Sequence, residues 1–198
     1  GEYEARIERI EKDRVVAALG AWRDVERESG LVVTLIQAVQ SGEKMDYTVQ
    51  KAVELGVSHI VPVDSRRSVT RVAGERAARR VAHWQGVAAA ACEQCGRNRV
   101  PQVAPVEKLE SWLARPSGGA LRLMLAPDAE QSLVDLPAAK RVELLIGAEG
   151  GLDPQEIVAA HQVGFQPVRM GPRTLRTETA GLAALAAMQA LWGDFRGG

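Results

Sequence analysis

Cysteine, histidine and long apolar runs are all scarce in this chain of 198 residues, and each shortage removes a class of protein. Two cysteines, Cys92 and Cys95, are too few for a disulfide framework or a four-thiolate zinc site. They stand three apart in "CEQCG", near the end of a long helical pattern, whereas a redox C-x-x-C opens a helix after a strand. The pair therefore reads as inert. His59, His83 and His161 show no ligand spacing, so no metal is expected. No apolar stretch approaches the roughly 20 residues that cross a bilayer, and no basic n-region precedes an apolar segment. A cytoplasmic location is the expectation. The dinucleotide loop G-x-G-x-x-G and the phosphate loop G-x-x-x-x-G-K-[ST] are missing as well.

Net charge is also absent, with 25 basic and 25 acidic residues, but the distribution is uneven. Between Arg66 and Arg99 eight arginines meet only Glu75 and Glu93. Two readings stay open: a solvated helix face, since arginine is a good helix former, or a surface whose guanidinium forks match phosphate oxygens.

What is present is an alternation of short apolar runs and helical patterns, in a chain long enough, at 46% hydrophobic residues, to bury one substantial core. "YEARIERIEKDRVVAAL" fits two strands joined at "EKD", and two strands alone are not a stable unit. Residues 1–28 are thus expected to be part of a small β-domain, with residues 29–198 as the main domain. From Leu31 the order is strand "LVVTLIQAV", helix "KMDYTVQKAVELG", strand "SHIVPV" and a long helix from about Glu75. A short helix around "VEKLESWLA", strands "LRLMLA" and "VELLIG", helix "PQEIVAAHQVG", strand "FQPVRM" and a final helix follow. Such alternation predicts an α/β fold with a mostly parallel sheet covered on both faces, whose ligands bind beyond the carboxyl ends of the strands.

Two loops at such ends carry unusual residues. After "VELLIG" comes "GAEGGLDPQE", in which Gly147, Gly150 and Gly151 permit sharp bends and close approach to a ligand. Asp153, Pro154 and Glu156 there spell a helix start with a capping box. After "FQPVRM" comes "GPRTLRTETA", where Gly171 and Pro172 set a turn and Thr177 or Thr179 is expected to cap the last helix. Arg173, Arg176 and Glu178 exceed what a helix entry needs.

These residues carry a resemblance. "LLIGAEGGLDPQEI", Gly164–Phe165, "MGPRTLRTETAGLAAL" and "WGD", with "EKMDYTVQKAVELGVSHIVPVDSRRS" and "EQCGRNRVP" upstream, closely resemble the ribosomal RNA small-subunit methyltransferase E family, which methylates N3 of a uridine in small-subunit rRNA. The resemblance runs from about Thr34 to Asp194. The chain departs from it at Ala148, where the family usually has a proline that stiffens the turn.

The resemblance implies a SPOUT-type α/β fold with a C-terminal deep trefoil knot, S-adenosylmethionine held in the knot, a homodimer, and a remnant of a PUA-like β-barrel in residues 1–28. It implies cofactor contacts at Leu125, Ile146, Gly147, Glu149, Gly150, Gly151, Met170, Gly171 and Leu175, with Thr177 and Thr179 near. Arg176 is expected to stabilise the uracil anion, and Glu178 either to accept the proton or to orient that arginine; an Arg176–Glu178 pair that only braces the loop is the competing possibility. Lys44, Lys51, Arg66, Arg67, Arg71, Gln94 and Arg97 are the candidates for contact with small-subunit rRNA, and Lys51 with Glu54 also fits a plain surface pair. A knotted methyltransferase for tRNA or a ribose hydroxyl, and a non-catalytic RNA-binding assembly factor, are the alternatives.

Overall fold

The computed structural model describes residues 1–69 and 73–196, and the anticipated alternation of strand and helix holds through it. A hairpin of β1 (Glu2–Ile10) and β2 (Val15–Arg23) comes first, antiparallel and separate from the main sheet. The main domain follows as β3 (Val32–Ala38), α1 (Lys44–Glu54), β4 (His59–Asp64), α2 (Gly74–Cys95), β5 (Gln102–Val103), β6 (Glu107–Lys108) and α3 (Leu109–Leu113). It continues with β7 (Leu121–Leu125), β8 (Arg141–Ile146), α4 (Pro154–Gln162), β9 (Gln166–Val168) and α5 (Thr177–Trp192).

The strand order is β5-β4-β3-β8-β7-β9, with β6 also pairing β4, and every pairing within this sheet is parallel. Parallel strands need both faces covered, and the apolar run of β3 shows it: its residues alternate between two cores. Val33 and Leu35 pack with α1, α2 and α5, whereas Ile36 and Ala38 pack with α3 and α4. Trp84 is fully buried in the first core and donates its ring N–H to Asp46 at 3.0 Å, which removes the cost of an unpaired indole. The two-residue strands β5 and β6 were not evident from the sequence, because so short a stretch carries no periodicity.

Between β8 and β9 the chain changes direction across the sheet: β7 sits with β8 on one side and β9 on the other. A parallel sheet opens a crevice at such a reversal, outside the carboxyl ends of the strands. Two helix boundaries follow their residue chemistry. Gly56 ends α1 at φ +79°, the left-handed conformation that glycine adopts without strain. At the start of α4, Asp153 accepts from the Gln155 N–H while Glu156 accepts from the Asp153 N–H, closing the capping box.

One expectation is corrected here. Thr177 and Thr179 do not cap α5; Arg176 occupies the cap position without a side-chain hydrogen bond, and the Thr177 hydroxyl is used elsewhere. Cys92 and Cys95 lie as free thiols at the end of α2; Cys92 is buried, and burial pushes its thiol pKa up despite the nearby Arg97. No described helix is long and apolar enough to cross a membrane.

Candidate active site

The crevice at the β8-β7-β9 reversal holds a cavity of about 730 Å³. It is lined by the loops that follow these three strands, together with Lys44 from the start of α1 and Ile157 and His161 from α4. Both loops singled out in the sequence therefore open into one pocket. A third loop, Ala126–Ala129 after β7, joins them. Apart from Leu125 before it, this segment was not anticipated: nothing in "APDA" marks it except its place after a strand. Hydrogen bonds hold it to β9, from the Ala126 N–H to the Val168 carbonyl at 3.0 Å and from the Arg169 N–H to the Gln131 carbonyl at 2.9 Å.

The glycine loop turns within four residues. The Gly151 N–H donates to the Ala148 carbonyl at 2.8 Å, so a hydrogen bond closes the turn although the stiffening proline is absent. Gly151 lies at φ +73°, and Gly147 has no room for a side chain: a Cβ there would stand 2.8 Å from the Gly151 carbonyl carbon and 2.9 Å from the Leu152 nitrogen. Glycine at 147 is what lets the turn close back on itself at the cavity wall. Gly150 is different, because a Cβ would meet only the Arg67 side chain at 3.6 Å.

The second loop is locked to the first through Thr177, which is buried and donates to the Gly147 carbonyl at 2.6 Å. Gln37, at the end of β3 and fully buried, donates in turn to the Thr177 hydroxyl at 3.1 Å. Three strand ends thus share one hydrogen-bonded chain.

Of the residues expected at the cofactor, Leu125, Ile146, Gly147, Glu149, Gly151, Met170, Leu175 and Thr177 line the cavity. Gly150, Gly171 and Thr179 do not: Gly150 has its carbonyl held by Arg67 at 2.9 Å, Gly171 supplies a bend at φ +74°, and Thr179 is exposed on the first turn of α5. Arg176 and Glu178 both line the cavity, together with Arg173, Thr174, Asp128 and His161. Arg176 is exposed, and among the described residues its guanidinium makes no hydrogen bond or ion pair. The cation facing Glu178 is instead Lys44, at 3.9 Å, so the two side chains do not brace the loop as a pair.

Glu149 is held firmly. Its carboxylate accepts from the Ser41 N–H at 3.5 Å and from the Ser41 hydroxyl at 3.3 Å, and lies 3.6 Å from the Lys44 ammonium. Burial alone would raise its pKa, but hydrogen bonds from its own and the Ser41 backbone, with the Lys44 charge, outweigh that and leave it lowered.

The residues expected to meet rRNA are dispersed. Arg66 and Arg67 stand half exposed beside the glycine loop and the start of α4, where the Arg66 side chain reaches Gln155 and Glu110 and its N–H donates to the buried Glu156 at 2.8 Å. Lys51 pairs with Glu54 at 2.7 Å, and Gln94 is exposed near the end of α2. Arg97 turns inward: only 7% of its side chain is exposed, it pairs with Glu28, and it donates to the Val53 and Val57 carbonyls at 2.8 and 3.0 Å. Arg71 lies outside the described residues. Lys44, expected on the RNA, lies in the cavity wall.

Comparison with known proteins agrees with this geometry. Residues 27–189 match the RNA methyltransferase domain family. The chain is 38% identical over 168 residues to the ribosomal RNA small subunit methyltransferase E of Buchnera aphidicola, covering 84% of this chain and 68% of that one. It is 28% identical over 196 residues to the enzyme of the same name from Bacillus subtilis, covering 94% and 77%. A crystal structure of a ribosomal RNA small subunit methyltransferase E from Neisseria gonorrhoeae, bound to S-adenosyl methionine, superposes with a TM-score of 0.90 at 43% identity, over 96% of this chain and 79% of that one. A match of this extent, covering the strands, both loops and the final helix, places the chain in the ribosomal RNA small subunit methyltransferase E family.

Proposed function

We propose that the protein is an S-adenosylmethionine-dependent methyltransferase that modifies N3 of a uridine in small-subunit rRNA. The observation that carries this reading is the joining of the glycine loop and the arginine loop into one cavity, tied by Thr177 to Gly147. The residues present fit the cofactor: the glycine loop forms one wall of the cavity, and acidic side chains of Asp128, Glu149 and Glu178 line the wall a cationic nucleoside would meet. Bound there, S-adenosylmethionine supplies an electrophilic methyl group on a positively charged sulfur.

The chain's own part is positioning and charge. Backbone groups of Leu125, Ile146 to Gly151 and Met170 to Leu175 hold the cofactor, and Thr177 fixes the two loops relative to each other. N3 of uracil is a poor nucleophile until its proton leaves. Arg176 stabilises the resulting anion, with a guanidinium that no other described group engages, and Glu178 takes the proton.

Arg66 and Arg67, exposed at the edge of the glycine loop, with Gln94 and Lys51, are the contacts for rRNA. We read the fold as a SPOUT domain over residues 29–198 whose final segment forms the trefoil knot, supported by the reversal at β7 and by α5 packing back on β3, β8 and α1. Residues 1–28 are read as part of a PUA-like barrel, supported by the exposed apolar residues Ile7, Ile10 and Leu19 on the hairpin. Homodimerisation fits the small residues Ala183, Ala186, Ala187 and Ala190 that α5 leaves partly or fully exposed. A cytoplasmic location follows from the substrate.

The test is incubation with labelled S-adenosylmethionine and unmethylated small subunits, followed by nucleoside analysis. Recovery of 3-methyluridine is expected; label in tRNA or in a ribose 2′-methyl instead would overturn the substrate assignment.

A further inference from the structure

Lys44 belongs to the first turn of α1, yet its ammonium reaches the cavity, 3.6 Å from Glu149 and 3.9 Å from Glu178. Three features show that this placement is built rather than accidental. Gln40, fully buried and oriented to satisfy both ends of its amide, donates to the Lys44 carbonyl at 3.1 Å and accepts from the Glu178 N–H at 3.2 Å. One side chain thus clasps the backbones of Lys44 and Glu178 together, and Thr48 holds that side chain at 2.9 Å. Glu149, on the far side of the ammonium, is itself pinned by the Ser41 hydroxyl. Finally, Glu178 places Oε1 toward Lys44 while Oε2 is buried with no hydrogen-bond partner among the described residues. A buried carboxylate oxygen without a donor is costly, so the fixed orientation of this carboxylate calls for an account.

We propose that Lys44 is a positioning residue of the transfer site, acting through Glu178: by engaging Oε1 it fixes the orientation of the carboxylate in the cavity wall that the uracil meets. This rests on the reading of the cavity as a methyl-transfer site. In the step concerned, N3 gives its proton to the Glu178 carboxylate and bonds the methyl carbon, while the carbon–sulfur bond breaks and its electron pair stays on sulfur. Positive sulfur and negative carboxylate are both neutralised, so atoms and charge balance. The other charged groups around Glu178 are Glu149, Asp128, Arg173, Arg176 and His161 in the same wall, and none of them is held to its backbone as Lys44 is through Gln40. The role differs from contact with an RNA phosphate, which Lys44, flanked by two carboxylates, is poorly placed to make.

A double-mutant cycle tests this, with Lys44→Met, Glu178→Gln and the pair, in single-turnover methyl transfer to small subunits. Lys44→Met is expected to slow transfer about thirtyfold and to add less than about threefold in the Glu178→Gln background, the non-additivity of groups that act as a unit. Lys44→Arg restores most of the rate. In the cofactor-free protein, Lys44→Met leaves rRNA affinity and its salt dependence unchanged, and calorimetry shows S-adenosylmethionine binding within about threefold of wild type. Independent, multiplying effects of the two substitutions would overturn the proposal. So would a loss of rRNA affinity with a salt slope shallower by about one, which marks a phosphate contact. A wild-type protein that transfers no methyl group refutes the parent reading instead. Far-ultraviolet circular dichroism of each variant separates lost folding from lost positioning, and the Lys44→Arg result decides the matter if Lys44→Met does not fold.

Discussion

The Thr177 hydroxyl donates to the Gly147 carbonyl at 2.6 Å, joining two loops that lie 30 residues apart in sequence. Because Gln37 donates to the same hydroxyl, removing it costs the Gly147 carbonyl its donor and the buried Gln37 amide one of its two acceptors, the Ala38 carbonyl being the other. Thr177→Val, which keeps the shape, is expected to destabilise the protein by about 1–3 kcal/mol and to weaken S-adenosylmethionine binding about tenfold. Thr177→Ser should keep both near wild type. Thermal melts with calorimetry check this, and an unchanged affinity in Thr177→Val would show that the tie does not shape the pocket.

The two neighbouring glycines make a paired test. Gly147→Ala drives a methyl group into backbone at 2.8 Å, where no flexible side chain can yield, and is expected to cost about 1–3 kcal/mol and most cofactor binding. Gly150→Ala meets only the Arg67 side chain at 3.6 Å and should change affinity by less than about threefold. Equal losses at the two positions would mean that loop flexibility, and not close approach, sets the requirement.

Much of this was legible in the sequence, for a physical reason. Strand–helix alternation, the Asp153–Glu156 capping box and the Gly56 stop are local patterns, and each appears as read. That two glycine-bearing loops share a crevice also follows from strand ends in a parallel sheet. What was hidden depends on distant partners. Thr177 looked like a helix cap because caps are local, but its partner Gly147 lies on another strand end. Arg97 looked like a member of a basic patch, and only the fold shows that Glu28 and two carbonyls surround it. Lys44 likewise counted as a surface cation until α1 and α5 were set side by side.

Arg97 and Arg66 should consequently part ways. Arg97→Ala leaves Glu28 and the Val57 carbonyl unpaired in a largely buried site, the Val53 carbonyl keeping the Gly56 N–H, and is expected to destabilise the protein by about 3 kcal/mol, while the folded fraction binds rRNA as before. Arg66→Ala, with a side chain 48% exposed, should change stability by less than about 0.5 kcal/mol and reduce both rRNA affinity and its salt dependence. Denaturant melts and binding isotherms at two salt concentrations check the contrast.

Acid should loosen the glycine loop through Glu149. Its pKa is lowered in the folded protein from an ordinary value of 4.5. A carboxylate shifted this way contributes stability above its unfolded value and loses it as pH falls through the lower folded one. Wild type should therefore lose stability below about pH 4.5, and Glu149→Gln should show a smaller fall over that window. Melting temperatures taken between about pH 3 and 6 decide it, and parallel curves for the two proteins would remove Glu149 as the cause.

Arg176 differs from Lys44, the other cation beside Glu178 in the cavity wall. Lys44 is engaged by two carboxylates, whereas the Arg176 guanidinium has no partner among the described residues and its backbone is fixed as the cap of α5, directly before the locked Thr177. A cation anchored at its backbone and engaged by no other group suits the moment when negative charge develops on the uracil oxygens, and does nothing for a cofactor held by backbone groups. Arg176→Ala is accordingly expected to slow methyl transfer by at least about a hundredfold while S-adenosylmethionine affinity stays within about threefold. Arg176→Lys, which keeps the charge but not the fork, should recover only part of the rate. Single-turnover transfer beside calorimetry separates the two quantities, and a variant that binds cofactor poorly yet turns over normally once saturated would move Arg176 from the reacting base to the cofactor.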